Sequence, residues 1–326
     1  MAIKTSLSHL ETHKKYVQVL RFIDDFLASQ KYTKFELPSM SPVLIPESYL
    51  NIFRTEFQYE QELEKLYLIP SSELYLKRLL AAGSGSCYTL MKNFRNSEPH
   101  TSRHLPEFMM LEMYKVDATY FDIADDTMAL LRYLADKLYG KDEITWQGNT
   151  ISLKEYEKIT VAEAFEKYAG ISDIFNEVEF MKQAAGKGYT VDGFSYTDVW
   201  SQIYTQDVEP NMGMNGKPTI IYDYPKELAA VVEYDPEKKV ASRLEMYISG
   251  IELGNCGTEV SDKTDFNELE DRLTKEATKV DYTPDTEFKD VLKKMPHTAG
   301  IAIGVDRLAM ILLDVESVQD LQLITY

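Results

Sequence analysis

The 326-residue sequence has only two cysteines, Cys87 and Cys256, which lie far apart and outside any CxxC or Cys/His spacing. A disulfide framework and a cysteine-ligated zinc site are therefore excluded. Long apolar runs are also missing, since none approaches the roughly 20 residues that cross a membrane. The first residues contain no apolar signal core. We expect a cytoplasmic protein that is not attached to a membrane.

Positive charge is scarce as well. The chain has 35 Lys and Arg against 53 Asp and Glu, which gives a formal net charge of −18, and it has no run of five or more basic residues. Because phosphate binding needs clustered Lys and Arg, non-specific nucleic-acid binding is disfavoured. The acidity is explained either by solubility or by an acidic face that attracts a basic partner.

The phosphate-binding patterns GxGxxG and GxxxxGK[ST] are absent, so Rossmann and P-loop folds have no support. Apolar residues at three- and four-residue spacing predict an amphipathic helix over residues 16–27. A strand is predicted over residues 32–37. A second helix is predicted over residues 121–138, with Gly140 as its C-terminal stop.

The second half of the chain mixes turn signals and strands. Residues 144–153 predict a hairpin around Gly148-Asn149, and Thr160 with Glu163 forms a capping box for a short helix. From residue 201 three strand-like segments follow, at residues 218–225, 229–234 and 242–255, whereas residues 259–295 are polar and mostly helical in pattern. Strands joined largely by hairpins predict an α+β fold with an antiparallel sheet, in a single domain over residues 1–326.

Residues 87–114 form the first candidate site, predicted as two strands joined by a long polar loop. Period-two alternation places four side chains on one face: Phe108, Met110, Glu112 and Tyr114. Arg95 ends the first strand, and Arg103 and His104 close the loop. Cations beside an aromatic ring suit a nucleoside triphosphate. The alternative is a surface hairpin whose aromatic face belongs to the core.

Residues 243–255 form the second candidate site, a hairpin that turns at Ser249-Gly250. This turn pairs Tyr247 with Glu252 and puts Glu245 diagonally beside Glu252, about 7–8 Å away, which is a spacing that suits Mg²⁺. Gly254 falls opposite Glu245 and leaves room for a ligand. Asn255 and Glu259 join this face only if a β-bulge intervenes. The alternative is a solvated pair of acids.

Residues 299–313 form the third candidate site, a strand that leads through Gly300 and Gly304 into a helix. Arg307 lies in the first turn of that helix, where it can stack on a base or pair with a phosphate. Taken alone, this pattern is weak.

Together and in this order, the segments resemble the three signature motifs of class II aminoacyl-tRNA synthetases. The first helix and the strand ending at Pro38 resemble motif 1, FRNSEPHTSRHLPEF resembles motif 2, and GIAIGVDRL resembles motif 3. SSELYLKRLLAAG and RLEMYISGIELGN are similar to segments of the lysyl-tRNA synthetase branch. The run VEPNMG…KPTIIYDYP resembles the stand-alone paralogue that attaches (R)-β-lysine to a lysine of elongation factor P.

The resemblance implies a role for each matching residue. Arg95 would pair with the α-phosphate of ATP and with the substrate carboxylate. Arg103 and His104 would hold the outer phosphates. Phe108 and Arg307 would sandwich adenine, which makes Arg95 and Arg307 the implied catalytic pair.

The metal and amino-acid ligands are implied in the same way. Glu245 and Glu252 would bind Mg²⁺, with Asn255 beside them. Glu73 would take the amino group near the substrate carboxylate. The distal ammonium of a lysine-like substrate would go to a carboxylate-rich set, which makes sense because a buried ammonium needs paired charge: Glu112, Tyr114 and Glu259.

Four positions depart from the family pattern. The Glu that follows the motif 2 arginine is replaced by Ser97, and the motif 2 loop is one residue longer than in lysine enzymes. Gly254 is the choice of lysyl-tRNA synthetases, where the elongation factor P ligase usually has Ala. Cys256 and Gly257 follow, so that an aromatic wall of the amino-acid pocket is lost at position 257. We expect a larger or differently shaped pocket.

The resemblance implies an ATP-dependent ligase that activates lysine or a lysine-like amino acid as an adenylate and transfers it to a lysine of elongation factor P. It also implies a homodimer through motif 1. Fewer than ten residues precede the first helix, so we expect no anticodon-reading OB-fold and no tRNA partner. Two alternatives stay open: a ligase with another amino acid or another non-tRNA acceptor, and a non-catalytic regulatory protein that binds an amino acid or a nucleotide.

Overall fold

The computed structural model of this protein describes residues 3–96, 101–229, 231–260 and 264–325. Within this part of the chain, no helix is both long and apolar enough to cross a membrane. The α-helices are, in chain order, α1 (Leu10–Ser29), α2 (Glu73–Ala81), α3 (Tyr120–Tyr139), α4 (Val161–Ala164), α5 (Glu177–Gly186), α6 (Tyr196–Ile203), α7 (Phe266–Ala277), α8 (Phe288–Leu292) and α9 (Val305–Leu312).

The strands are short at the edges of the fold and long at its centre. In chain order they are β1 (Lys4–Thr5), β2 (Thr33–Lys34), β3 (Met40–Ser41), β4 (Arg54–Tyr59), β5 (Glu62–Leu68), β6 (Cys87–Phe94), β7 (Glu107–Val116), β8 (Glu143–Trp146), β9 (Asn149–Ser152), β10 (Glu157–Thr160), β11 (Thr219–Tyr224), β12 (Tyr234–Asp235), β13 (Val240–Ile248), β14 (Ile251–Thr258), β15 (Thr298–Gly304) and β16 (Ile324–Thr325).

One large sheet organises the chain. Its strand order is β10-β11-β13-β14-β15-β7-β6-β2, and β12 pairs with β13 beside this path. The six strands from β11 to β6 pair antiparallel, whereas β10 and β2 add parallel edges. The prediction of an α+β fold with an antiparallel sheet is therefore confirmed, with parallel pairing at the two edges as an addition.

The two faces of the sheet have different environments. The rear face packs on α1, α3 and α9 and forms the largest apolar core, to which Leu111, Leu244 and Ile301 contribute. Two smaller cores cover the ends of the front face. One includes Phe165, Trp200 and Tyr247, and the other includes Leu76, Tyr114 and Phe288. The front face between these two cores is left for polar side chains.

Most local predictions are confirmed. Helix α1 buries the predicted apolar stripe, α3 ends at Gly140 in the left-handed conformation, and Thr160 and Glu163 form the capping box of α4. Three details differ. The strand predicted over residues 32–37 has only two residues in β2, the hairpin near residue 148 turns at Gln147-Gly148, and the strand predicted over residues 229–234 is reduced to β12 and an isolated bridge at Val232.

A buried carboxylate, Asp306 at the start of α9, ties the first helix to the sheet. Its Oδ1 accepts a hydrogen bond from the Tyr16 hydroxyl at 2.7 Å, and its Oδ2 accepts one from the Met109 amide at 2.8 Å. Burial raises the pKa of this carboxyl above its ordinary value. The contacts fix α1, β7 and α9 around the residue that precedes Arg307.

We predict that Asp306→Ala lowers the free energy of unfolding by about 2 kcal/mol, because the substitution leaves a buried N–H and a buried O–H without an acceptor. Urea unfolding measures the change. Asp192→Ala is the control, because Asp192 is exposed, and its curve should match the wild type. Equal midpoints for Asp306→Ala and the control would contradict the role given to Asp306.

Candidate active site

A cavity of about 140 Å³ lies where motif 2 meets the start of α9. Five of the side chains predicted to bind the nucleotide line it together with Glu252, a predicted metal ligand: Arg95, Arg103, His104, Phe108 and Arg307. Glu245 and Asn255, which were also predicted to bind ATP, are not part of this lining. The guanidinium carbon of Arg95 lies 5.4 Å from the centre of the Phe108 ring. A Cβ added at Gly304 would lie 3.1 Å from Nε of Arg307, so the glycine leaves space for this guanidinium.

The acidic hairpin contains the bulge that the sequence left open. Tyr247 pairs with Glu252, as predicted, but the register then shifts by one residue at Leu253. Asn255 consequently lies opposite Glu245, and Gly254 lies opposite Met246. The prediction that Gly254 faces Glu245 is wrong, because it assumed an unbroken ladder. The extra residue brings Asn255 and Glu259 onto the site face.

Glu245 is buried, and its carboxylate contacts two tyrosine hydroxyls and one guanidinium. Its Oε2 accepts hydrogen bonds from the Tyr204 hydroxyl at 2.9 Å and from the Tyr247 hydroxyl at 2.7 Å. Its Oε1 lies 2.6 Å from Nη2 of Arg243, whose Nε donates to Oδ1 of Asn255 at 3.1 Å. Glu245 is therefore fixed in position without any metal.

Negative charge accumulates where Mg²⁺ is implied. Glu252 lies 3.4 Å from Nη1 of Arg307, and burial together with Glu252 and Glu245 raises the pKa of the Glu209 carboxyl to about 7. A cation would relieve this repulsion. Among the described residues, no group of three or more His, Cys, Asp or Glu side chains is arranged to hold a metal ion. Mg²⁺ characteristically takes one or two carboxylates plus phosphate oxygens, so Glu245 and Glu252 fit an ion that arrives with ATP.

A cluster of buried charged side chains, farther along the front face, is built around Lys77. The Lys77 ammonium lies 2.6 Å from Oε1 of Glu73 and 2.6 Å from Oε2 of Glu259. Burial opposes the positive charge of Lys77, but the two carboxylates outweigh it and raise the pKa of this ammonium above its ordinary value. The ion pairs connect α2 to the end of β14 and unite two predicted amino-acid ligands.

Glu112 belongs to the same cluster. Its Oε2 accepts hydrogen bonds from the amide of Ser72, at 2.8 Å, and from the Ser72 hydroxyl, and its Oε1 accepts one from the Tyr114 hydroxyl at 2.9 Å. Burial, reinforced by Glu73, raises the pKa of Glu112 to about 7. The residues of β15 that pair with Glu112 and Tyr114 are small, since Ala302 pairs with Glu112 and Gly300 pairs with Tyr114. The predicted common face of Glu112 and Tyr114 is confirmed.

The comparisons with known proteins agree with this geometry. The family model for tRNA synthetases class II (D, K and N) matches residues 6–325. This chain belongs to that family. It is similar to proteins named lysine–tRNA ligase from Carboxydothermus hydrogenoformans, with 32% identity over 93% of this chain, from Clostridium tetani, with 30% over 95%, and from Staphylococcus saprophyticus, with 30% over 99%.

The matched parts cover 62%, 63% and 66% of those relatives. The chain thus spans somewhat under two thirds of their length.

In this class II synthetase chain, the surroundings of two glycines and one cysteine differ from the expectation: Gly254, Gly257 and Cys256. A Cβ at Gly254 would lie 2.6 Å from the Ala302 carbonyl oxygen, so Gly254 makes room for β15 rather than for a ligand. A Cβ at Gly257 would collide with the side chain of Val232, which fills the place of the lost aromatic wall. Cys256 points to the rear face, where its Sγ lies 3.6 Å from the Tyr120 carbonyl oxygen. Of the expected larger or differently shaped pocket, these positions fit a different shape, because Val232 occupies the space beside Gly257.

The synthetase site also contains residues that the sequence reading missed. Lys77 follows Glu73 by four residues on a helix, which is a spacing that favours an ion pair, and Arg243 lies two residues from Glu245 on the same strand face. These two spacings could have identified both cations. No such sequence spacing identifies Tyr204 and Glu209, because they lie in segments outside the sheet and contact the site only through tertiary packing. Ser97 lies outside the described residues.

Gly300 gives a direct test of the packing around Tyr114. A Cβ at this position would collide with the Tyr114 ring. We predict that Gly300→Ala lowers the free energy of unfolding by roughly 1–3 kcal/mol, because the ring has to leave its place over the strand. Gly186→Ala is the matched control, since an added Cβ there meets nothing within 4 Å. Thermal and urea unfolding compare the two variants, and equal stabilities would contradict the close packing of Tyr114.

Proposed function

We propose that this chain activates lysine or a lysine-like amino acid with ATP as an aminoacyl-adenylate, within a single catalytic domain. The observation that carries the proposal is that two unlike sites lie along one face of β7, which carries both Phe108 and Glu112. One side is an aromatic and cationic cavity with Phe108 and Arg307. The other side is a pocket of buried carboxylates. ATP fits the first side and a cationic amino acid fits the second.

The charge of the amino-acid pocket supports a basic substrate. Glu73, Glu112 and Glu259 outnumber the single internal cation, Lys77. Burying carboxylates without compensation is costly, and a substrate ammonium removes part of that cost. A neutral or acidic amino acid side chain would leave the excess of negative charge unpaired, so the pocket favours an amino acid with a second amine.

Activation needs positioning and charge stabilisation rather than a covalent enzyme intermediate. A carboxylate oxygen of the amino acid attacks the α-phosphorus of ATP, a new O–P bond forms, and pyrophosphate leaves with the electrons of the broken bond. Arg95 would neutralise both the carboxylate and the α-phosphate. Arg103 and His104 would hold the outer phosphates, and Phe108 with Arg307 would stack on adenine.

Mg²⁺ would be held by Glu245 and Glu252 together with phosphate oxygens of ATP. When it is bound, the ion neutralises phosphate charge and fixes the geometry of the departing pyrophosphate. The protein contributes the rigid placement of Glu245 by Tyr204, Tyr247 and Arg243.

For the second step we propose a lysine side chain of elongation factor P as the acceptor. Its amine would attack the adenylate carbonyl, form an amide, and release AMP and a proton. The net charge of −18 supports a protein acceptor over tRNA, because a polyanion binds poorly to an acidic surface. The names of the relatives favour tRNA instead, so both acceptors belong in the test.

We further propose a cytoplasmic homodimer that forms through the N-terminal segment and α1. Exposed apolar side chains there support a buried interface, namely those of Leu7, Leu10 and Val17.

Pyrophosphate exchange into ATP tests the proposal. Lysine, β-lysine, ornithine and arginine are compared with neutral and acidic amino acids, and we expect exchange with lysine or β-lysine and none with the acidic ones. Activity confined to non-basic amino acids would overturn the lysine assignment. The labelled amino acid is then offered to elongation factor P and to tRNA, and labelling of tRNA alone would overturn the proposed acceptor.

Arg307 provides the sharpest test of the nucleotide side. We predict that Arg307→Ala lowers exchange by roughly 100-fold or more, because the guanidinium that would stack on adenine opposite Phe108 is lost and ATP is no longer held in its reactive position. The thermal unfolding curve should stay close to that of the wild type, since Arg307 is partly exposed. Arg54→Ala is the control, because Arg54 forms only a surface ion pair with Asp281. Wild-type exchange in Arg307→Ala would contradict the assignment of the cavity to ATP.

A further inference from the structure

The segment of residues 46–51 enters the site from a direction that no family motif covers. The amide of Glu47 donates to the Tyr282 hydroxyl at 2.8 Å, and this hydroxyl donates to the Ile45 carbonyl oxygen at 3.1 Å. At the other end of the segment, the Asn51 carbonyl oxygen accepts a hydrogen bond from the amide of Asn96 at 2.9 Å. The segment is therefore anchored on both sides and held next to Arg95.

This anchoring presents the Glu47 side chain to the amino-acid pocket. The Tyr49 hydroxyl donates to Oε1 of Glu47 at 2.6 Å, and the Tyr49 side chain is exposed to solvent. The Glu47 carboxyl is close enough to Glu73, Arg95 and Lys77 to interact with the charge of each. Burial, reinforced by Glu73, raises the pKa of Glu47 to about 7. Glu47 thus lies near one acid and two cations of the site, namely Glu73, Arg95 and Lys77.

A separate observation indicates that a hydrogen-bond donor belongs on this face. Asn93 is completely buried two residues before Arg95, and its Oδ1 accepts no hydrogen bond from the described residues. Its Nδ2 lies 3.9 Å from Sδ of Met110, a poor partner for an amide. Buried amide oxygens are rarely left unpaired, because desolvation without a donor is costly. Asn93 pairs with Phe108, so it shares the face of Glu112 and Arg95.

We propose that Glu47 is a further specificity-determining residue, which binds the amino group next to the reacting carboxylate and shares it with Glu73. The proposal rests on the proposed function, since it takes an amino acid as the substrate. Arg95 offers a positive charge to the carboxylate, and the two acids offer negative charge to the neighbouring ammonium. The three residues together are complementary to the zwitterionic head of an amino acid, whereas Glu112 and Glu259 face its distal end. Tyr49 positions the Glu47 carboxylate.

Substrate analogues separate this role from a structural one. Lysine has both amines, norleucine lacks the distal amine, and 6-aminohexanoate lacks the head amine. We expect Glu47→Gln to raise the KM for lysine and the inhibition constant of norleucine by about tenfold, because a charge-assisted hydrogen bond is lost. The inhibition constant of 6-aminohexanoate should stay within about twofold. Glu64→Gln is the matched control, since Glu64 is exposed on β5, and it should change none of the three constants.

The outcomes are distinguishable. An equal change for all three compounds, or no change for any, would overturn the role of Glu47. Exchange by the wild type with a non-basic amino acid would overturn the lysine assignment, and the comparison of that amino acid with its deaminated counterpart would still decide the role of Glu47. Thermal unfolding of Glu47→Gln controls for folding. Glu47→Asp provides a second variant, which keeps the negative charge but moves the carboxylate back by one methylene group.

Discussion

The ion pairs of the Lys77 ammonium are the constraint on which the proposed amino-acid pocket depends. Glu73, Glu112 and Glu259 come from α2, β7 and the end of β14, and they converge on one water-poor volume. Like charges at such distances repel one another strongly in a medium of low dielectric constant. A fixed internal cation lets the acids remain in place before a substrate arrives, and it leaves enough negative charge to attract one.

The same principle, with the opposite sign of charge, operates on the side of the site proposed to bind the nucleotide. Arg95, Arg103 and Arg307 line the cavity, and Glu252 contacts Arg307. Glu245 is held by Arg243 and two tyrosine hydroxyls. Each half of the site therefore contains a few side chains of the opposite charge. They hold the more numerous acids, or the more numerous arginines, in position. Phe108 of one half and Glu112 of the other share a face of β7.

Sequence patterns predicted the parts of this arrangement that follow from local periodicity. Alternation along β7 placed Phe108, Glu112 and Tyr114 on one face, and the turn at Ser249-Gly250 fixed the pairing of Tyr247 with Glu252. Features that depend on tertiary packing were not predictable. The bulge at Leu253 depends on how β15 packs against Gly254, and the segment with Glu47 reaches the site only because Tyr282 holds it.

Val232 has a consequence for how such a pocket diversifies. Its side chain takes the space that a residue at position 257 would fill, yet it belongs to an irregular connection between β11 and β13, joined to the sheet by an isolated bridge to Glu259. Connections of this kind tolerate changes in length and sequence far better than central strands do. Val232, which forms this wall of the proposed binding site, therefore belongs to a connection and not to the sheet that carries the predicted catalytic and binding residues. Substitutions in this connection can change the selectivity for the amino acid, in evolution or by design, while the side chains on the central strands stay the same.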